Sequence, residues 1–90
     1  MTMLIAKVVG SVWATQKEKG MENIKLLIVQ PIKLSKEPVG NSLVAMDRIG
    51  AGVGETVLIA QGSPAQKLAV DKNAPIDAAV VGIIDSFEGE

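Results

Sequence analysis

Residues 24–32 read IKLLIVQPI, and neither alternate register of this run is polar. Successive side chains of an extended chain point to opposite faces. A strand with Ile24, Leu26 and Ile28 on one side and Leu27 and Val29 on the other is therefore one that folding covers on both. A 90-residue chain has limited means of doing so. A domain of this size hides only about 60 to 65% of the surface that its unfolded chain exposes. Yet 48% of the residues are hydrophobic and only 2% aromatic, so the apolar supply is aliphatic and large for the body. Aliphatic surface left outside the core either promotes aggregation or is covered by another subunit. The second outcome is expected here.

Four further runs have strand character, divided by glycine, proline and charged segments. In the first, Leu4, Ala6, Val8, Gly10, Val12 and Ala14 share one face and are expected to face the core. The opposite face sets Ile5, Val9 and Trp13 between Lys7, Ser11 and Thr15, more apolar than a face meant only for water. Gly10 in mid-strand predicts a sharp bend. In the second run Pro31 has no N–H to donate, which puts that end at an edge or bulge. The third is SLVAMD, after the turn residues Pro38, Gly40 and Asn41. ETVLIAQ is the fourth, and AAVVGIIDSF, interrupted by Gly82, the fifth.

Between the last two lies GSPAQKLA, where Ser63 suits an N-cap, Pro64 the first helical position and Gln66 the third place of a capping box. These residues predict a short helix, held by packing of Leu68 or Ala65 on the barrel. The expected fold is all-β: one domain over residues 1–90, a small five-stranded, OB-like barrel with one short helix between strands 4 and 5. Closure removes the edges that such aliphatic strands would otherwise present.

Composition excludes much chemistry. The chain has no histidine, cysteine or tyrosine, so a Ser-His-Asp triad, a Cys-His pair and a histidine-bound metal are all ruled out. Asp47, Asp77 and Asp85 could form an acid-base pair, but each stands at a strand end, where aspartate is an ordinary turn former. No catalytic residue, cofactor or metal is assigned. The net charge of -1 carries no field to attract a polyanion. A five-stranded barrel that binds single-stranded nucleic acid is the alternative reading, but it needs aromatic platforms and a cationic groove. One tryptophan, one phenylalanine and lysines scattered among acids do not supply them. Trp13 is read as a packing residue at a subunit contact. The start, MTMLIAKVVG, has too short an apolar run before Lys7 for a signal sequence or membrane span, and a cytoplasmic protein without membrane partners is expected.

Residues 48–56, RIGAGVGET, pose the sharpest question, since a glycine-rich loop can cradle phosphate. A Walker A loop places lysine after its last glycine, and Glu55 stands there instead. The spacing of Gly50, Gly52 and Gly54 also fails the dinucleotide pattern. The glycines are read as conformational: they permit positive φ and close backbone approach at a turn or interface.

Taken together, KLLIVQP (25–31), DRIGAGVGETVLIAQGSPA (47–65) and PIDAAVVGIID (75–85) resemble the pentameric vertex proteins of bacterial microcompartment shells. That family includes the carboxysome vertex protein and ethanolamine-utilisation protein N. The resemblance runs from Leu4 to Asp85. It implies a non-catalytic barrel that forms a ring of five, or of six as in some members, at the corners of a polyhedral shell enclosing enzymes. Hexameric tiles would be its neighbours. It also implies that Gly50, Ala51 and Gly52 form a tight loop beside neighbouring subunits, and Gly54, Ser63 and Trp13 are expected with them at a subunit interface or central opening. The sequence departs from the family at Pro64-Ala65-Gln66, in the KLSKEPVGN loop and at Trp13.

Overall fold

The computed structural model describes residues 2–12, 24–62 and 77–86. They form five strands: β1 (Thr2–Val12), β2 (Lys25–Pro31), β3 (Leu43–Asp47), β4 (Thr56–Gln61) and β5 (Ala78–Ile84). The strands close in the order β1-β2-β3-β5-β4. All neighbours are antiparallel except β3 and β5, which run parallel and meet at Met46 and Ala79.

Period-two patterning explains which side chains go inside. On β1, Ala6 and Val8 are buried and Leu4 packs against them, while Lys7 and Val9 point out. Leu27 and Val29 of β2, Ala45 of β3, Val57 and Ile59 of β4, and Ala78 and Val80 of β5 complete the interior. Alanines beside branched residues suit the narrow bore of a small barrel. Each fully buried Val, Leu or Ile contributes about 1.5–3 kcal/mol.

Both mid-strand glycines sit at irregularities in the ladder. Val8 faces Val29 and Gly10 faces Ile28, so Val9 is an extra residue on β1. Likewise Gly82 faces Leu58 and Val80 faces Ile59, leaving Val81 extra on β5. Bulges bend and twist a strand, as a closed barrel requires. Pro31 ends β2, where its carbonyl accepts hydrogen bonds from Val39 N (3.0 Å) and Gln30 Nε2 (3.0 Å).

The expected helix between strands 4 and 5 is corrected. No helix occurs among the described residues, and Ser63, Pro64 and Gln66 lie outside them. The fold is a five-stranded mixed barrel. A cap pattern is a local preference, and fewer than two helical turns have little stability of their own. The chain leaves β4 through Gly62, whose φ of 90° lies in the left-handed region. The Gly62 N–H then bonds the Asp77 carbonyl at 2.7 Å, joining the end of β4 to the start of β5 directly.

Candidate functional site

The loop between β3 and β4 is built around a carboxylate. Asp47 ends β3 with its side chain fully enclosed. Its Oδ1 accepts hydrogen bonds from Ile49 N (2.9 Å) and Gly50 N (3.2 Å), and its Oδ2 from Ala51 N (2.9 Å). Three consecutive N–H groups can converge on one anion only if the backbone curls, and Gly50 supplies the curl with φ of 97°. Ala51 is drawn fully into the core. Lys25 Nζ lies 3.6 Å from Asp47 Oδ2 and donates to the Ala51 carbonyl at 3.0 Å. The loop thus does cradle an anion, and that anion is the chain's own.

A second carboxylate completes it. Glu55 Oε1 accepts from Gly52 N at 2.6 Å, and Glu55 N donates to Gly52 O at 3.1 Å. Residues 52–55 make a β-turn whose third position, Gly54, has φ of 94°, the left-handed value that a type II turn demands. Gly54 N donates to Val8 O (2.8 Å) and Val8 N to Glu55 O (2.9 Å), fastening the loop to β1 beside its bulge.

So held, the loop turns its remaining apolar side chains outward. Val53 at its tip is 67% exposed, and Ile49 is 49% exposed. Beside Ile49 a hollow of about 280 Å³ is lined by Met46, Arg48, Val80 and Val81. Two apolar strips occupy the outside of the barrel. Val9, Ile28 and Val44 lie side by side across β1, β2 and β3, with Val9 and Val44 each 49% exposed. Across β1 and β4, exposed Met3 and half-buried Ile5 stand beside Ala60 and Leu58. Lys7 separates Ile5 from Val9 on the outer face of β1.

Gly50, Ala51, Gly52 and Gly54 therefore share one hydrogen-bonded loop, whose Ala51 is buried in the core and not on the surface as expected of an interface residue. Trp13 and Ser63 lie outside the described residues. The three aspartates do not gather into a catalytic group: Asp77 and Asp85 are exposed beyond opposite ends of β5, and Asp47 is engaged by backbone. Among the described residues no cluster of three potential metal ligands occurs, and no helix is long and apolar enough to cross a membrane. The sequence marks Asp47 as a turn former, which it is, and Glu55 as the residue that bars a phosphate loop; that both bind the loop's own N–H groups, and that Lys25 joins them, was missed. Aspartate ahead of R-I-G-A is an Asx-turn pattern and was the available clue.

Residues 3–85 match the family described as ethanolamine utilisation protein EutN/carboxysome. The chain belongs to this family. It is 44% identical over 84 residues to the carboxysome shell vertex protein CcmL of Synechocystis sp., covering 93% of this chain and 84% of that protein. The solved structure of Gloeobacter violaceus CcmL superposes with a TM-score of 0.89 at 39% identity, over 97% of this chain and 90% of that one. GrpN of Rhodospirillum rubrum, a pentameric microcompartment shell protein, gives a TM-score of 0.86 at 38% identity, over 97% and 99%. As a member of the EutN/carboxysome family, the chain is a structural, non-catalytic vertex protein of a bacterial microcompartment shell in the cytoplasm.

Proposed function

We propose that residues 1–90 form one vertex-protein domain, five copies of which close into a ring that caps a shell corner among hexameric tiles. Flat six-fold tiles cannot close a polyhedron, and five-fold units at the corners supply the curvature. A cyclic ring uses head-to-tail contacts, so each subunit must offer two different surfaces. The observation that carries this reading is the pair of distinct apolar strips, Val9/Ile28/Val44 and Met3/Ile5/Leu58, separated on one small barrel. The pentameric state of the similar GrpN supports a count of five.

In this reading the loop that carries Gly50, Gly52 and Gly54 lies at the contact between copies, with Ala51 buried beneath it in the protomer's own core rather than in the contact, and Ser63 and Trp13 are assigned to the interface as well. Small residues there let neighbouring backbones approach closely. Ile49 and Val53 would be covered by the next copy. Neither nucleic acid nor membrane is a partner, in keeping with the net charge of -1. Sedimentation of Val53→Glu tests the interface, because Val53 is exposed and its side chain is outside the core. The variant is expected to lose the ring and keep the wild-type circular dichroism spectrum. A ring of unchanged size and affinity would remove the loop from the interface.

A further inference from the structure

We infer that Asp47, assisted by Glu55, is a positioning residue for ring assembly: it touches no neighbouring copy, yet sets the loop in the shape that a neighbour meets. This inference rests on the proposed placement of the loop at the subunit contact.

Asp47 is enclosed within its own protomer, its side chain 0% exposed, so it cannot form part of an outer contact surface. Its oxygens hold the N–H groups of Ile49, Gly50 and Ala51, and Glu55 holds that of Gly52. Four successive backbone donors are thereby committed to two carboxylates. Such bonds to ionised acceptors are about twice as strong as neutral ones. Between and beside these anchors stand Ile49 and Val53, whose side chains point away from the core. A loop with its donors fixed in the lone protomer loses little conformational freedom when it docks. With the carboxylates removed, the same apolar side chains are presented by a loop that must be ordered on assembly.

The device also explains the glycines more fully than backbone approach does. Gly50 at φ 97° lets the N–H groups converge on Asp47, and Gly54 at φ 94° folds Glu55 back towards Gly52. The pattern D-x-x-G-A-G-x-G-E is one unit in which acids and glycines depend on each other.

The test compares full-length Asp47→Asn, Glu55→Ala and Glu55→Gln with wild type by sedimentation over a dilution series, with circular dichroism as the fold control. In Asp47→Asn one amide oxygen replaces two acceptor oxygens, so one of the three N–H groups meets an amide nitrogen. The concentration for half-assembly is expected to rise roughly ten-fold or more, the scale of one hydrogen bond to a charged group. Glu55→Ala is expected to weaken assembly likewise, and Glu55→Gln, which keeps an acceptor oxygen, to restore most of it. Rescue by glutamine ties the loss to the hydrogen bond, and a half-assembly concentration that shifts while the thermal unfolding midpoint stays near wild type separates positioning from loss of general stability. Should Asp47→Asn fail to fold, the Glu55 pair decides the matter. Wild-type assembly by Asp47→Asn and Glu55→Ala, with Val53→Glu still breaking the ring, would overturn the positioning role and leave the interface standing. Intact rings in all of them, Val53→Glu included, would overturn both.

Discussion

Two loops of this barrel use the same turn vocabulary and are held in opposite ways. The β3–β4 loop, residues 48–55, has its N–H groups bound to carboxylates and Ala51 buried in the core. The β2–β3 loop, residues 32–42, is exposed along almost its whole length. It is closed by its own backbone bonds, Lys33 N to Glu37 O (2.9 Å) and Lys36 N to Lys33 O (2.8 Å). One amide, Gln30 Nε2, reaches the carbonyls of Pro31, Val39 and Gly40. Each loop contains left-handed residues: Gly50 and Gly54 in one, Lys36 and Gly40 in the other. The first loop thus belongs to the core and the second rests on the surface, and substitutions in them should separate accordingly.

The largest effect is expected from Asp47→Ala, which removes the acceptor of three N–H groups at once. Urea unfolding should show a loss of about 3 kcal/mol. A loss within a few tenths of wild type would mean that water replaces the carboxylate freely, and the contrast between the loops would fail. Next comes Gly50→Ala. A Cβ there meets open space, so the cost is conformational alone, about 1–2 kcal/mol for a side chain in the left-handed region.

The surface loop should respond less. Gln30→Ala deletes a half-exposed donor whose carbonyl partners can turn to water, and thermal unfolding should register about 0.5–1 kcal/mol. Lys36→Gly is the smallest and has the opposite sign. Lysine at φ 72° is strained, and relief of that strain outweighs the added freedom of glycine in the unfolded chain by about 0.5 kcal/mol. Destabilisation by this change would show that the Lys36 side chain makes up for its backbone.

The strands were legible because burial in a small barrel follows the alternation of side chains. Of the inward face expected of β1, Ala6 and Val8 are fully buried, whereas the bulge at Val9 breaks the alternation and leaves Gly10 and Val12 only partly buried; the bend expected at Gly10 and the interruption at Gly82 both coincide with bulges. Pro31 ends its strand as a residue without an N–H should. Two-sided burial of β2 is realised unevenly: Leu27 and Val29 are fully buried, whereas Leu26 and Ile28 are half-buried in the single chain. The missing cover is what a neighbouring copy would supply.

The turn-forming role of Asp47 was legible but its enclosure was not, because a strand-end aspartate in water and one enclosed by three N–H groups have the same sequence. Only the fold, which carries Ala51 into the core, decides between them. The helix expectation failed for a related reason. Ser63, Pro64 and Gln66 state a local preference, and the fold among the described residues is made by strands alone. The glycine stretch lay between these cases: its positive φ values at Gly50 and Gly54 followed from residue type, and the carboxylates that use them did not.

If neighbouring copies cover the apolar outside of this barrel, the mass of the particle in solution shows it. Native mass spectrometry at micromolar concentration should give a single species about five times the 9.4 kDa chain, dissociating only on strong activation. A folded species of one chain mass at that concentration, with Val9, Val44 and Val53 open to water, would contradict it.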